Sequence, residues 1–168
     1  ALGAVPVKIG FGELYSALDR GTIDGTVNYT PFVKAYKHYE VASHVTEASM
    51  GQLLGYGIAI NTKLLNGMPK KLQDIILSTS DEYMDVYAKM YMDASDEAKT
   101  AMTKGIDGRK VAFHQLSSGE RAKWVAAAAS FKVEWIAKMK KRGMDTDAFL
   151  AKFDKIHAKY IKFLGLEH

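Results

Sequence analysis

The prediction of the fold rests mainly on residues Pro6–Asn28, which read PVKIGFGELYSALDRGTIDGTVN. An apolar strand is predicted over Val5–Ile9, and the glycines on both sides of Phe11 end it before a short amphipathic helix. Gly21 is expected to end that helix, and a second strand is predicted over Thr22–Asn28. Two strands joined by a helix are the unit of a parallel sheet, so the stretch predicts an α/β fold. Asn28 would then lie at the carboxyl end of the sheet, where open α/β sheets place their ligands.

The middle of the chain is predicted to continue as helix, strand and long helix. Thr30 can cap a helix that has Pro31 at its first position. The glycine-containing stretch Val45–Asn61 predicts one or two strands with a bulge between them. A long helix is predicted over residues 69–104, with a break near residues 78–81, because helices of this length are unusual in globular proteins.

The last third is predicted to be a short strand followed by two helices. The strand is expected over Lys110–His114, and Ser117 with Glu120 forms a possible capping box for a helix that ends before Gly143. The final helix is capped by the residue at 145 or 146 and ended by the glycine at 165. Apolar stripes on both helices are predicted to be core. These stripes comprise Trp124, Ala128, Phe131, Trp135 and Met139 on the first helix, and Phe149, Phe153, Ile156, Tyr160 and Leu164 on the second.

Composition excludes several functional classes. The chain has 168 residues, of which 48% are hydrophobic and 25% charged, so it can bury a core. No apolar run approaches the roughly 18 residues of a membrane span, and no leader opens the chain, so an export signal is expected to have been removed or left out. The net charge of +4 is spread along helices, which argues against nucleic-acid binding. Residues 166–168 resemble the start of an affinity tag.

Catalytic and metal-binding constellations are poor, and an enzyme is not expected. The chain has no cysteine, which excludes thiol catalysis and disulfides. His38, His44, His114 and His157 lack zinc-ligand spacing, and each is expected to lie at the surface or half-buried. The sequence contains no nucleophile elbow and no phosphate-binding glycine loop. No catalytic residue, metal or cofactor is therefore predicted.

A family resemblance supplies what spacing cannot. The pattern G-A-x-P-V-x-x-x-F-x-E-L-Y-x-A-L-x-x-G-x-x-D-G-x-x-N runs from Gly3 to Asn28. It resembles the solute-binding proteins of tripartite ATP-independent periplasmic (TRAP) transporters, dicarboxylate-binding type. The match continues more loosely through Tyr39–Val41, Gly57–Asn61 and Leu65–Gln73, and after about residue 81 only the order of helices agrees.

The resemblance implies a periplasmic-binding-protein-like α/β fold with two lobes, of which this chain is the carboxy-terminal half. Such proteins are periplasmic, close on a small organic acid, commonly a carboxylate, and deliver it to membrane permease subunits. By this resemblance residues 1–56 are part of the second, ligand-binding lobe, and 57–115 are a crossover strand, long helix and short strand largely of the first lobe. Residues 116–165 are C-terminal helices that pack on the second lobe.

The resemblance also implies the site. The arginine that grips the carboxylate in the family lies upstream of Gly3, outside this chain. Asn28 falls on a cleft asparagine whose amide can donate to and accept from a ligand, with a strand-end cap as the alternative. Phe11 falls on an aromatic residue beside the apolar part of the ligand, and a core position under the loop is the alternative.

The pocket wall departs from the family pattern after Asp-Gly. Where the family commonly has Gln-Glu-Asn-Pro, this chain has TVNY at residues 26–29. Tyr29, Met50 and Gln52 are candidates to replace polar groups there, which favours a ligand with an apolar or aromatic portion. The substrate itself cannot be inherited from the family.

The alternative function belongs to a different class of protein. A stand-alone, self-associating helical interaction domain would also explain the apolar helix faces. Because half a sheet has exposed edges, such a domain would form a homodimer through sheet edges or helices.

Overall fold

A computed structural model describes residues 3–48 and 57–164 of the chain. The chain forms two compact units. The first unit is Val7–Leu116, and the second combines Ala1–Pro6 with Ser117–His168. None of the helices within the described residues has the length and apolar character needed to cross a membrane.

The first unit joins a small parallel sheet to one long helix. Its elements are α1 (Leu14–Asp19), α2 (Thr30–Ala35), β1 (His44–Glu47), α3 (Thr62–Asn66), α4 (Lys70–Lys104) and β2 (Ala112–Gln115), with 3-10 turns at Phe11–Glu13 and His38–Glu40. β1 and β2 pair in parallel, with Val45 opposite Phe113. Helices and a small parallel sheet agree with the α/β class that the sequence predicts.

The core of this unit lies where the end of α4 meets α2 and the sheet. Its buried apolar residues are Val33, Tyr39, Ala98, Met102 and Val111, with Val45, Ile106 and Phe113 packed against them. The backbone N–H of Val111 donates to the carbonyl of Met102 at 3.0 Å, so the chain folds back along the end of the helix. Gly105 makes this reversal with φ of 113°, a value that side-chain-bearing residues rarely adopt.

Helix predictions in the first unit are confirmed in position but not in every detail. Gly21 follows α1 with φ of 66°, as expected of a helix-ending glycine. α4 starts directly after Pro69 and continues without interruption through residues 78–81, so the predicted break is wrong. No proline or glycine lies within α4, so nothing forces a break there. α2 also differs, because Tyr29 and not Thr30 occupies its N-cap position.

Three predicted strands are absent from the structure. Val5–Ile9, Thr22–Asn28 and Gly57–Asn61 are irregular. A strand needs a hydrogen-bonded neighbour, and across residues 3–48 and 57–164 the only paired strands are β1 and β2. Of the prediction over residues 45–61, only the beginning is a strand, and residues 49–56 lie outside the described part. The predicted strand over Lys110–His114 is present but lies slightly later, as β2.

The second unit contains two capped helices, α5 (Ser118–Lys140) and α6 (Thr146–Phe163). Oγ of Ser117 accepts from the N–H of Glu120 at 3.2 Å, which confirms the serine half of the predicted capping box of α5. The Glu120 carboxylate pairs with Lys123. At α6 the cap is Asp145, whose Oδ1 accepts from the N–H of Ala148 at 3.0 Å.

The apolar stripes of α5 and α6 are largely exposed. No residue of α5 is buried, and Phe131 and Phe153 remain 58% and 54% exposed. The two helices contact each other where the rings of Trp135 and Phe149 lie 5.7 Å apart, which covers only part of either stripe. The prediction that these stripes form a core is therefore wrong for the described residues. The predicted helix end at residue 165 lies outside them.

Candidate functional site

The Asn28 amide is held by two hydrogen bonds just before α2. Its Oδ1 accepts from the backbone N–H of Tyr29 at 2.8 Å, and its Nδ2 lies 3.2 Å from Nδ1 of His38. Because a backbone N–H can only donate, the oxygen must face Tyr29 and the NH₂ group must face His38. Nδ1 of His38 is then the acceptor, and Asn28 itself is half-buried.

His38 is a buried, neutral histidine. Its side chain is 2% exposed in the 3-10 turn His38–Glu40, so the expectation of a surface or half-buried histidine is wrong here. Burial lowers its pKa, because desolvation disfavours the charged ring. With Nδ1 accepting from Asn28, the single ring proton is assigned to Nε2.

A group of aromatic rings lies against His38 and extends from there to α4. Phe11 meets Tyr36 edge to face at 4.7 Å between ring centroids, and it also contacts Phe32 at 6.1 Å and His38 at 6.4 Å. Tyr29 contacts Phe32 at 6.1 Å and Tyr91 of α4 at 6.2 Å. We call Phe11, Tyr29, Phe32, Tyr36, His38 and Tyr91 the aromatic cluster. Phe11 is 44% exposed and Tyr36 51% exposed, so one side of the cluster is open.

The structure brings three of the five predicted site residues together. Phe11 and Tyr29 both belong to the aromatic cluster, and Asn28 joins it through His38. Met50 and Gln52 lie outside the described residues. The site role of all five stays a prediction.

Sequence reasoning missed the other cluster members. Phe32 lies within α2 and Tyr36 directly after it, at a spacing of four, which marks a shared helix face but not a site. His38 follows Asn28 by ten residues, and this spacing matches no motif. Tyr91 is distant in sequence and reaches Tyr29 only because α4 packs against α2.

A second polar group lies beside the core. The hydroxyl of Tyr15 donates to Oε2 of Glu40 at 2.8 Å, and this bond raises the pKa of Tyr15. The guanidinium of Arg109 donates to the carbonyl of Glu40. A shallow pocket of about 400 Å³ borders this group, lined by Tyr39, Glu40, Val41, Ala42, Ser43, Arg109 and Lys110. Phe11, Asn28 and Tyr29, the predicted site residues that the structure describes, do not line it.

Metal ligands do not converge in the described residues. Within 3–48 and 57–164, no group of three or more His, Asp or Glu side chains is arranged to hold an ion. Nδ1 of His44 and Nε2 of His114 lie 2.9 Å apart on neighbouring strands. This contact is a pair of exposed rings on the sheet, not a three-ligand site.

The chain matches a family of transport proteins over most of its length. The family model described as bacterial extracellular solute-binding protein, family 7 (DctP), matches residues 1–141. The C4-dicarboxylate-binding periplasmic protein DctP of Rhodobacter capsulatus is 33% identical over 124 residues, which is 74% of this chain and 36% of that protein. Its counterpart in Shewanella loihica is 28% identical over 127 residues, 76% of this chain and 37% of that protein.

A shorter similarity links the chain to the protein of the same name in Vibrio cholerae, at 33% identity over 73 residues, 44% of this chain and 22% of that protein. The chain thus spans little more than a third of the length of the first two relatives. These matches confirm the resemblance seen in the sequence. The chain belongs to family 7 of the bacterial extracellular solute-binding proteins, as a partial chain of a TRAP-type solute-binding protein.

Proposed function

We propose that this chain is the carboxy-terminal part of a periplasmic solute-binding protein that captures a small organic acid through its carboxylate. The family match carries this proposal, because it extends over residues 1–141 and the relatives are named for binding C4-dicarboxylates. Solute-binding proteins of this family are generally non-enzymatic transport components. The self-associating interaction domain is not favoured by these findings.

In the proposed protein, two lobes close on the ligand, and the closed form binds it more tightly than the open form. The division into 1–56 on the second lobe, 57–115 largely on the first and 116–165 packing on the second remains a proposal. Delivery to TRAP permease subunits in the membrane follows from the same proposal.

The Asn28 amide supports the proposed carboxylate contact. It is half-buried, it contacts His38 of the aromatic cluster, and its amide direction is set by two internal hydrogen bonds. An oriented N–H suits a carboxylate, which only accepts hydrogen bonds when ionised. The arginine that the family uses for the carboxylate would come from the rest of the protein.

The exposed rings support a ligand with an apolar portion. Phe11 and Tyr36 leave about half of their surface uncovered within this chain. A contiguous exposed apolar surface is typical of binding sites. We therefore propose that the hydrocarbon or aromatic part of the acid lies against Phe11 and Tyr36, with Tyr29, Met50 and Gln52 completing the wall.

The test is calorimetric titration of the complete protein with succinate and with phenylsuccinate, which adds a ring to the same dicarboxylate. Asn28→Ala is expected to weaken succinate binding by about 10-fold, since a hydrogen bond to a charged group contributes about 1.5 kcal/mol. Phenylsuccinate is expected to bind more tightly than succinate and to lose this advantage in Phe11→Ala.

Asn61→Ala is the matched control. Asn61 also accepts backbone hydrogen bonds, from the N–H groups of Lys63 and Leu64, but as the cap of α3. Its loss is expected to lower stability by about 1 kcal/mol and leave affinity unchanged. A change in affinity below about 2-fold in Asn28→Ala would remove Asn28 from the site.

A further inference from the structure

We propose that His38 is a positioning residue for ligand recognition, because it holds the Asn28 amide with one N–H directed at His38 and the other available to a carboxylate. The inference rests on the proposed function, in which Asn28 contacts the ligand. It assigns a role to a residue that the sequence places in no motif.

The Asn28 amide has more hydrogen-bonding groups than its two internal bonds use. A side-chain amide offers two N–H donors and two oxygen lone pairs. Within residues 3–48 and 57–164, the structure shows one donor used at His38 and one lone pair used at the N–H of Tyr29. One N–H therefore remains for an acceptor-only group such as a carboxylate.

The two hydrogen-bonding partners of Asn28 allow only one orientation of its amide. If the amide turned over, its NH₂ would face the N–H of Tyr29, and its oxygen would face the lone pair of Nδ1 on His38. Both contacts would then be between like partners, donor against donor and acceptor against acceptor. His38 and Tyr29 together select a single orientation, and each supports one end of the amide.

The surroundings of His38 hold its ring in place. The ring is 2% exposed and contacts Phe11 at 6.4 Å and Tyr36 at 6.2 Å between centroids. Such packing restricts the ring, and burial keeps it neutral, so Nδ1 presents a lone pair to Asn28. Because the packed His38 ring cannot rotate away, its Nδ1 can hold the Asn28 amide in a fixed position.

The experiment distinguishes the contribution of the Nδ1 acceptor of His38 from that of the rest of the ring. Affinity for succinate is measured by calorimetry on the complete protein carrying His38→Phe, His38→Asn or His38→Gln. Asparagine places its oxygen where Nδ1 was, whereas glutamine reaches the position of Nε2 and phenylalanine offers no acceptor. We expect Phe and Gln to weaken binding about 5-fold and Asn to stay within about 2-fold of the parent. His157→Phe, at an exposed histidine of α6, is the matched control and is expected to change nothing.

A double-mutant cycle tests whether His38 acts through Asn28. In the Asn28→Ala background, His38→Phe and His38→Gln are expected to change affinity by less than about 2-fold. An equal loss in both backgrounds, or an equal loss for all three His38 variants, would mean that His38 supports only the fold and would overturn the inference. Thermal unfolding confirms that each protein is folded, and His38→Gln retains a polar side chain if His38→Phe does not fold.

Two further outcomes overturn the inference at different levels. If Asn28→Ala leaves succinate and phenylsuccinate binding unchanged, the assignment of Asn28 fails and the role of His38 fails with it, while the proposed function stands. If the unmodified protein binds neither compound nor malate nor fumarate, the proposed function itself fails.

Discussion

Both carboxylate oxygens of Glu47 bind the ammonium group of Lys99, at 2.9 Å and 2.8 Å. Glu47 ends β1 and Lys99 lies near the end of α4, so this ion pair ties the sheet to the long helix. The side chains of Lys99 and Glu47 are only 39% and 26% exposed. Lys99 also lies 5.5 Å above the ring of Phe113, which adds a cation–π contact to the same junction.

Replacement of Lys99 by methionine tests this junction. We expect Lys99→Met to lower the free energy of unfolding by about 1 kcal/mol in about 20 mM salt and by less in about 0.5 M salt, because salt screens partly exposed pairs. Urea titrations at both salt concentrations measure the difference. Lys89→Met removes an exposed pair with Asp93 on α4 and is expected to cost under about 0.5 kcal/mol. Equal losses in the two variants would contradict a special role for Lys99.

Met102 is the most deeply buried large side chain of the core, with no exposed surface. Met102→Ala is expected to lower the free energy of unfolding by about 2–4 kcal/mol, since it removes buried contacts and leaves a cavity. Hydrogen exchange at the N–H of Val111, which bonds to the Met102 carbonyl, reports on this region directly. Met90→Ala, at a position 56% exposed, is the control and is expected to change the free energy little. Comparable losses at both positions would show that the core lies elsewhere.

A substitution at Gly105 tests the chain reversal between α4 and β2. An added Cβ would lie 3.2 Å from Cγ of Lys110, and φ of 113° is unfavourable for alanine. We expect Gly105→Ala to lower the free energy of unfolding by about 1–3 kcal/mol. Gly119→Ala is the opposite case, because nothing lies within 4 Å of the added carbon and the residue is helical. It is expected to raise stability by up to about 1 kcal/mol. Thermal melts that move in the same direction for both variants would contradict this assignment.

The buried His38 is expected to make the stability of the protein depend on pH. Burial lowers its pKa in the folded protein, whereas the unfolded chain titrates near about 6.5. Above that pH both states are neutral and the contribution of His38 is retained. As pH falls below about 6.5, the unfolded state binds a proton more readily, so the free energy of unfolding decreases towards the folded pKa.

Urea titrations at about pH 7.5 and about pH 5.5 measure this loss. His38→Phe is expected to lose less stability over this interval than the parent, and His157→Phe is expected to match the parent. An unchanged pH slope in His38→Phe would show that His38 is protonated equally in both states.

Helices with local start and stop signals were predictable from the sequence. The caps at Ser117 and Asp145 use side chains within three residues of their targets, so the sequence alone contains both partners. The same holds for the start of α4 after Pro69. The break expected inside α4 had no local cause, only the rarity of long helices, and it does not occur.

Strands and buried faces were less predictable, because both depend on partners distant in the sequence. Val5–Ile9 has the apolar composition of a strand but no paired neighbour among the described residues. The stripe that includes Phe131 and Trp135 has the spacing of a buried face, yet α6 covers little of it. Periodicity reports which face is apolar and cannot report what lies against it.

The candidate site shows the same limit. Phe11, Asn28 and Tyr29 lie within a segment whose pattern the family resemblance makes readable. His38 and Tyr91 join them only through the turn after α2 and the packing of α4, so a linear motif cannot reveal them.

Because α4 is uninterrupted, it provides a known distance for spectroscopic measurements on the protein. A helix of 35 residues extends over about 52 Å, so two spectroscopic labels on it report a known separation. The chain contains no cysteine, so introduced cysteines would be labelled within it without background. One label on α4 and another elsewhere in the chain would then report a distance in solution that can be compared with the known length of α4.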